Sequence, residues 1–118
     1  MDRIVQYIIV RGDLSKSLQW PIGAVIAQCC HATTAICNET ANDTETKEYF
    51  NDMDNMHKVV LEANDDTSLN SLSEKLKENG IVHKLWIEKP EMIPTCIAIK
   101  PYQKKQVHSY VKHLKLMK

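Results

Sequence analysis

No acidic residue follows Glu91 in this chain of 118 residues, although all 15 of its Asp and Glu stand at or before that position. The first 91 residues carry nine Lys and Arg against those acids, a balance of −6, whereas the last 27 hold six lysines and no acid. A formal net charge of zero excludes a uniformly basic, histone-like surface. The acid-free end has two readings: a polyanion is drawn to it, or its lysines solvate one face of a terminal helix. No apolar run approaches the roughly 18 residues that would argue for a membrane span. MDRIVQYIIVRGD lacks the long apolar core and small-residue cleavage site of a signal peptide. Neither C-x-x-C nor H-x-x-x-H occurs, so the usual helical and knuckle spacings of zinc ligands are missing. Four cysteines without a secretory signal, three of them within one predicted helix, do not form a disulfide framework and suit a reducing cytoplasmic compartment. With no internal repeat, low-complexity stretch or linker, residues 1–118 read as one domain.

What is present alternates between two periodicities. IVQYIIV, residues 4–10, is β-branched and evenly apolar, the pattern of a buried strand. A polar loop then leads to Trp20-Pro21, where proline suits the first turn of a helix expected over Pro21 to Asn38. TETKEYFNDMDNM places Tyr49, Met53 and Met56 at helical spacing and predicts a second, short helix. HKVVLEA is a strand. Asn64-Asp65-Asp66 supply N-cap candidates for a helix carrying Leu69, Leu72 and Leu76, which Gly80 terminates. IVHKLWIE and TCIAIK are two further strands around the prolyl loop KPEMIP, and Val107, Tyr110, Val111 and Leu114 make one stripe of a last, lysine-rich helix. The order β, α, α, β, α, β, β, α predicts a layered α/β domain with a mainly parallel sheet. The loop between the third and fourth strands is too short for a parallel crossover, so those two pair antiparallel or are not neighbours.

AQCCHATTA, residues 27–35, first suggests a metal site or a thiol beside its base. Consecutive helical residues point about 100° apart, so Cys29, Cys30 and His31 cannot converge on one ion. The thiols read as small packing residues. Gln28 and His31, three apart, share a face, and an amide beside an imidazole can hold a water or a substrate group. The helix also opens at the carboxyl edge of the first strand, where its free N–H groups and positive dipole end favour an anionic or phosphorylated ligand.

V-R-x-D-L (Val10 to Leu14), followed by G-x-x-x-A-Q-x-x-H-A (Gly23 to Ala32), resembles the start of the type 2 peptidyl-tRNA hydrolases. The likeness continues through HKVVLEANDDTSL, TCIAIKP and the terminal HLKLMK, while W-P-x-G, LWIEKPE and TCIAIKPY point to a divergent subgroup. The resemblance implies a three-layer α/β/α sandwich with a four-stranded mixed sheet, commonly homodimeric. It also implies hydrolysis of the ester between a peptide and the 3′ ribose of tRNA, with no metal or other cofactor. Asp13, Gln28, His31 and Thr95 match polar positions of the family pattern. Pro21-Ile22-Gly23-Ala24 stands where the family has a lysine-glycine-lysine element, and Glu88 stands where it has an aspartate.

Ester hydrolysis needs a group to activate water and a group to receive the developing oxyanion. The catalytic candidates are therefore His31, Glu88 and Asp13. Gln28 and Thr95 are substrate-binding candidates, joined by Lys16 of the preceding loop and by Lys104 and Lys105 of the terminal helix, which would hold tRNA phosphates. The expected partners are peptidyl-tRNA and a second copy of the chain, with neither DNA nor a membrane. The rival reading is an RNA-binding or protein-interaction module on the same fold, with catalysis reduced along with the lysine element.

Overall fold

The computed structural model describes residues 3–118. Its principal elements are β1 (Ile4–Arg11), α1 (Ile22–Glu39), α2 (Thr44–Asn51), β2 (Lys58–Ala63), α3 (Asp66–Glu78), β3 (His83–Glu88), β4 (Ile93–Ile99) and α4 (Lys104–Val111). Two short strands, β5 (Tyr102–Gln103) and β6 (Lys115–Leu116), flank α4. The sheet runs β3-β4-β1-β2-β6, with β5 paired to the start of β1.

The alternation of β1 divides the molecule into layers, because successive strand side chains point to opposite faces. Val5, Tyr7 and Ile9 join Leu69, Leu72 and Leu76 of α3 and Val107 and Val111 of α4 in one core. Ile8 and Val10 join Val25, Ala32 and Ile36 of α1 in the other. Helices on both faces of a mixed sheet give the α/β/α layering. Asp65 caps α3 by accepting from Ser68 N at 2.8 Å, which holds its carboxyl below the ordinary range. Gly80, at φ +70°, follows the helix end in the left-handed conformation that glycine adopts without penalty.

Several boundaries and one topological expectation change. The sheet is not mainly parallel: β1 and β2 form its one parallel pair among the described residues, while β1–β4, β3–β4 and β2–β6 are antiparallel. Alternation of strands with helices left direction open, and the chain reverses at the tight turn between β3 and β4, which pair antiparallel. The sheet has four long strands, but β5 and β6 raise the total to six. The helix expected over TETKEYFNDMDNM stops at Asn51 and gives way to a 3-10 turn over Met53–Asn55. Tyr102 and Gln103 form β5, and α4 ends at Val111, so Leu114 of the expected stripe lies beyond the helix. Among the described residues no helix is long and apolar enough to cross a membrane.

Candidate functional site

The carboxyl end of β1 meets the start of β4 and the first half of α1. Val10 pairs with Cys96 there. Gln28 faces the sheet from α1 and is only 2% exposed. Its amide is fully used: Nε2 donates to Ala24 O at 3.3 Å and to Glu88 Oε2 at 3.1 Å, while Oε1 lies 3.4 Å from Thr95 Oγ1. A buried side-chain amide without partners would be costly, and here β3 and β4 supply them.

Thr95 reaches Gln28 because the ladder is irregular at this point. Trp86 pairs with Cys96 and Ile87 with Pro94, so Thr95 is the extra residue of a β-bulge. Regular alternation would turn Thr95 to the face of Ile97, away from α1; the bulge turns it towards α1. Its hydroxyl also lies 3.1 Å from Trp86 O. Thr95 is fully buried, while Glu88 is half-buried at the end of β3.

His31 is exposed and stacks on Trp86, with ring centroids 5.0 Å apart and planes inclined by 21°. Trp86 thus joins the cluster at both ends, its ring under His31 and its carbonyl facing Thr95. Asp13 is placed differently. Both of its oxygens are taken by Arg11, Oδ1 from Nε at 3.0 Å and Oδ2 from Nη2 at 2.9 Å, and Arg11 Nη1 donates to Pro94 O at 3.1 Å. The Asp13 hydrogen bonds raise the guanidinium above its ordinary value despite the cost of burial. Arg11 therefore locks the loop after β1 to the residue just before Thr95.

The expected lysines separate. Lys16 pairs with Glu62 of β2 at 2.8 Å, on the other side of β1 from the Gln28 cluster. Lys104 and Lys105 open α4 beside β5, which pairs with Ile4 and Val5. That is the opposite end of β1, about 20 Å from Val10 at roughly 3.3 Å per strand residue. Lys104 and Lys105 thus lie outside the Gln28 cluster, at the far end of β1.

Cysteine packing holds for only part of the set. Cys96 is buried beneath the cluster, its Sγ 3.4 Å from Gln28 O, and Cys29 and Cys37 are half-buried, but Cys30 is exposed. A hydrogen bond between Cys96 and Cys29, aided by burial, pushes the Cys96 thiol far up; the same bond lowers Cys29. Cys96 stays protonated and is no nucleophile. Among the described residues no three His, Cys, Asp or Glu side chains are grouped to hold a metal ion. Reading the sequence missed Trp86 and Arg11 as organisers, although both lie within the motifs LWIEKPE and V-R-x-D-L. Pro94, a proline within β4, is the one local signal of the bulge at Thr95.

Comparison with known proteins bears on this arrangement. The family model described as peptidyl-tRNA hydrolase PTH2 matches residues 4–117. Human and mouse proteins named "Putative peptidyl-tRNA hydrolase PTRHD1" are each 46% identical over 116 residues, covering 98% of this chain and 83% of the relative. They belong to the peptidyl-tRNA hydrolase domain-containing protein 1 subgroup to which W-P-x-G and LWIEKPE pointed. A Dictyostelium discoideum protein named "Probable peptidyl-tRNA hydrolase 2" is 32% identical, covering 94% of this chain and 53% of the relative. On the match across almost its whole length, this chain belongs to the PTH2 family of peptidyl-tRNA hydrolases.

Proposed function

We propose that the chain hydrolyses the ester between a peptide and the 3′ ribose of tRNA, with Glu88 as the general base. The observation that carries this reading is the hydrogen bond from buried Gln28 to Glu88 at 3.1 Å. It fixes one oxygen of a half-buried carboxylate at the carboxyl edge of the sheet, and no other described side chain engages the second oxygen. A carboxylate so oriented accepts a proton from water as that water attacks the ester carbonyl. Gln28 is a positioning residue, because its own hydrogen-bonding atoms are occupied. Thr95 and the Trp86 carbonyl set the floor on which Gln28 rests. Free N–H groups in the first turn of α1 provide charge stabilisation for the tetrahedral oxyanion. The leaving 3′ oxygen takes up the proton drawn from water, either from Glu88 or from solvent. Asp13, paired through both oxygens, holds the loop and does not act as the base. Exposed His31 flanks the site on its Trp86 platform, where it can contact the substrate.

One observation favours the module reading. No lysine makes a hydrogen bond or ion pair to Gln28, Glu88 or Thr95 among the described residues, so the charge that the family's lysine element brings to this point is absent here. Turnover of a defined peptidyl-tRNA at near-stoichiometric enzyme separates the two. The hydrolase reading expects release above the spontaneous rate, lost in the His31→Ala, Glu88→Ala double variant. Undiminished release by that variant would remove these residues from the chemistry, and no release by the wild type would favour the module.

A further inference from the structure

Across β1 from the Gln28 cluster, at the same edge of the sheet, lies a cavity of about 580 Å³. It is bounded by the loop after β1, the carboxyl end of β2, the first turns of α3 and the chain after α4. Lys16, His113, Lys115 and Lys118 line it, with Asn64 and Ser68 as neutral polar partners. Glu62 is the single acidic side chain in this lining. It is already satisfied by Lys16 at 2.8 Å and by the Lys118 backbone N–H, which together with Lys115 hold its carboxyl below the ordinary range. Three lysine side chains against one paired acidic side chain leave a surplus of positive side-chain charge in a concave site, where low-dielectric walls concentrate the field. Of the six lysines in the acid-free end of the sequence, Lys115 and Lys118 line this cavity, while Lys104 and Lys105 open α4.

We infer that this cavity binds phosphate groups of the single-stranded 3′ end of an RNA, holding that strand while its terminal ribose reaches the Gln28–Glu88 cluster. The inference rests on the hydrolase reading for its substrate, but its contacts are independent of that chemistry. β3, β4, β1 and β2 are successive strands, so Glu88 and Glu62 lie about three strand spacings apart, roughly 14 Å, with Lys115 of β6 one strand beyond. That separation suits nearby groups of one extended strand. The edge ladder of β6 on β2, Leu61 with Leu116 and Glu62 with Lys115, fixes the lysine-bearing segment against the sheet. Leu72, Leu114 and Leu116 add an apolar wall against which a base can pack.

The test is the salt dependence of binding between the full chain and deacylated tRNA, for the wild type and for Lys115→Ser/Lys118→Ser. Each single-strand phosphate that no longer meets a lysine reduces the slope of log affinity against log salt by about 0.7, so the double variant should show a slope shallower by about 1.4. KM for peptidyl-tRNA should rise at least about tenfold with kcat retained. The matched Lys104→Ser/Lys105→Ser variant, with the same loss of charge at the far end of β1, should show a much smaller change. Equal slopes for wild type and Lys115→Ser/Lys118→Ser would overturn the inference, as would equal effects of the two lysine pairs. Displacement of tRNA by polyglutamate as effectively as by a short 3′-end oligonucleotide would overturn the RNA assignment. Wild-type turnover and Glu88→Gln keep the outcomes apart: no release by the wild type ends the hydrolase reading and intact turnover by Glu88→Gln ends only the role of Glu88 as base, whereas the salt slope reads the lysines whether or not the ester is cleaved.

Discussion

The two flanks of β1 at its carboxyl end differ in how their polar groups are used. On the β4 side, Gln28, Thr95 and Glu88 are bound to one another, with the amide and hydroxyl buried and no lysine among their partners. On the β2 side, three lysine side chains face one acidic side chain around an open cavity. A closed hydrogen-bond set fixes the direction of a group, which is what proton transfer needs. An open cationic set attracts a polyanion without fixing its sequence. Pro21-Ile22-Gly23-Ala24 stands where the resemblance puts a lysine-glycine-lysine element, and the cavity's cations come from Lys16 of the loop after β1 and from Lys115 and Lys118 of the chain that returns to β2.

The comparison breaks most visibly at Gln28. Replacing it with Ala frees Glu88 and leaves the Thr95 hydroxyl with only Trp86 O. We expect kcat for peptidyl-tRNA to fall about 100-fold, since small misplacement of a reacting group costs that much, while tRNA affinity is retained. Urea unfolding should show a stability loss of about 1–2 kcal/mol. Arg11→Met tests whether the flanks share a frame. It removes a buried guanidinium that makes three hydrogen bonds, and chemical denaturation should show a loss of about 2 kcal/mol. A loss below about 0.5 kcal/mol would mean that the loop holds Asp13 by other means.

A smaller effect sharpens the β2 side. Glu62 also approaches Gly12, where an added Cβ would stand 2.5 Å from its Oε2. Gly12→Ala should push the Glu62 carboxylate off Lys16 and change the salt slope of tRNA binding, with little effect on kcat. An unchanged slope would show that the Lys16–Glu62 pair does not govern the cavity.

The smallest effect concerns the α3 cap beside that cavity. Asp65 has a folded pKa below its ordinary value of 3.8, so its stabilisation is complete above that pH and is lost as pH falls below it. Asp65→Asn keeps a capping oxygen but cannot titrate there. Its denaturation midpoint should therefore decline less than that of the wild type on acidification through this range. Parallel decline would place the acid sensitivity elsewhere.

Much of this framework is readable from local pattern. IVQYIIV, the leucine spacing of α3 and its Asp65 and Gly80 ends each state one element through side-chain periodicity or backbone chemistry. Strand direction is not local, and only the pairing of β4 with β1 decides it. β5 and β6, two residues each, carry too few side chains for a period. At the site, the sequence placed Gln28, Glu88 and Thr95 together through the resemblance, but the bulge that turns Thr95 and the double engagement of Asp13 by Arg11 are properties of packed strands. Lys104 and Lys105 stand out in the sequence because they belong to an acid-free, lysine-rich terminal helix. Lys16 is distant in sequence from Lys115 and Lys118 and meets them only because β6 returns to β2.

The central claim is that Glu88 activates the water. Single-turnover release of peptide from a defined peptidyl-tRNA, with Glu88→Gln in saturating excess, tests it most directly because binding then drops out of the rate. We predict release at least about 100-fold slower than the wild type, within the usual contribution of a general base, with tRNA affinity unchanged. Release at the wild-type rate would contradict the account.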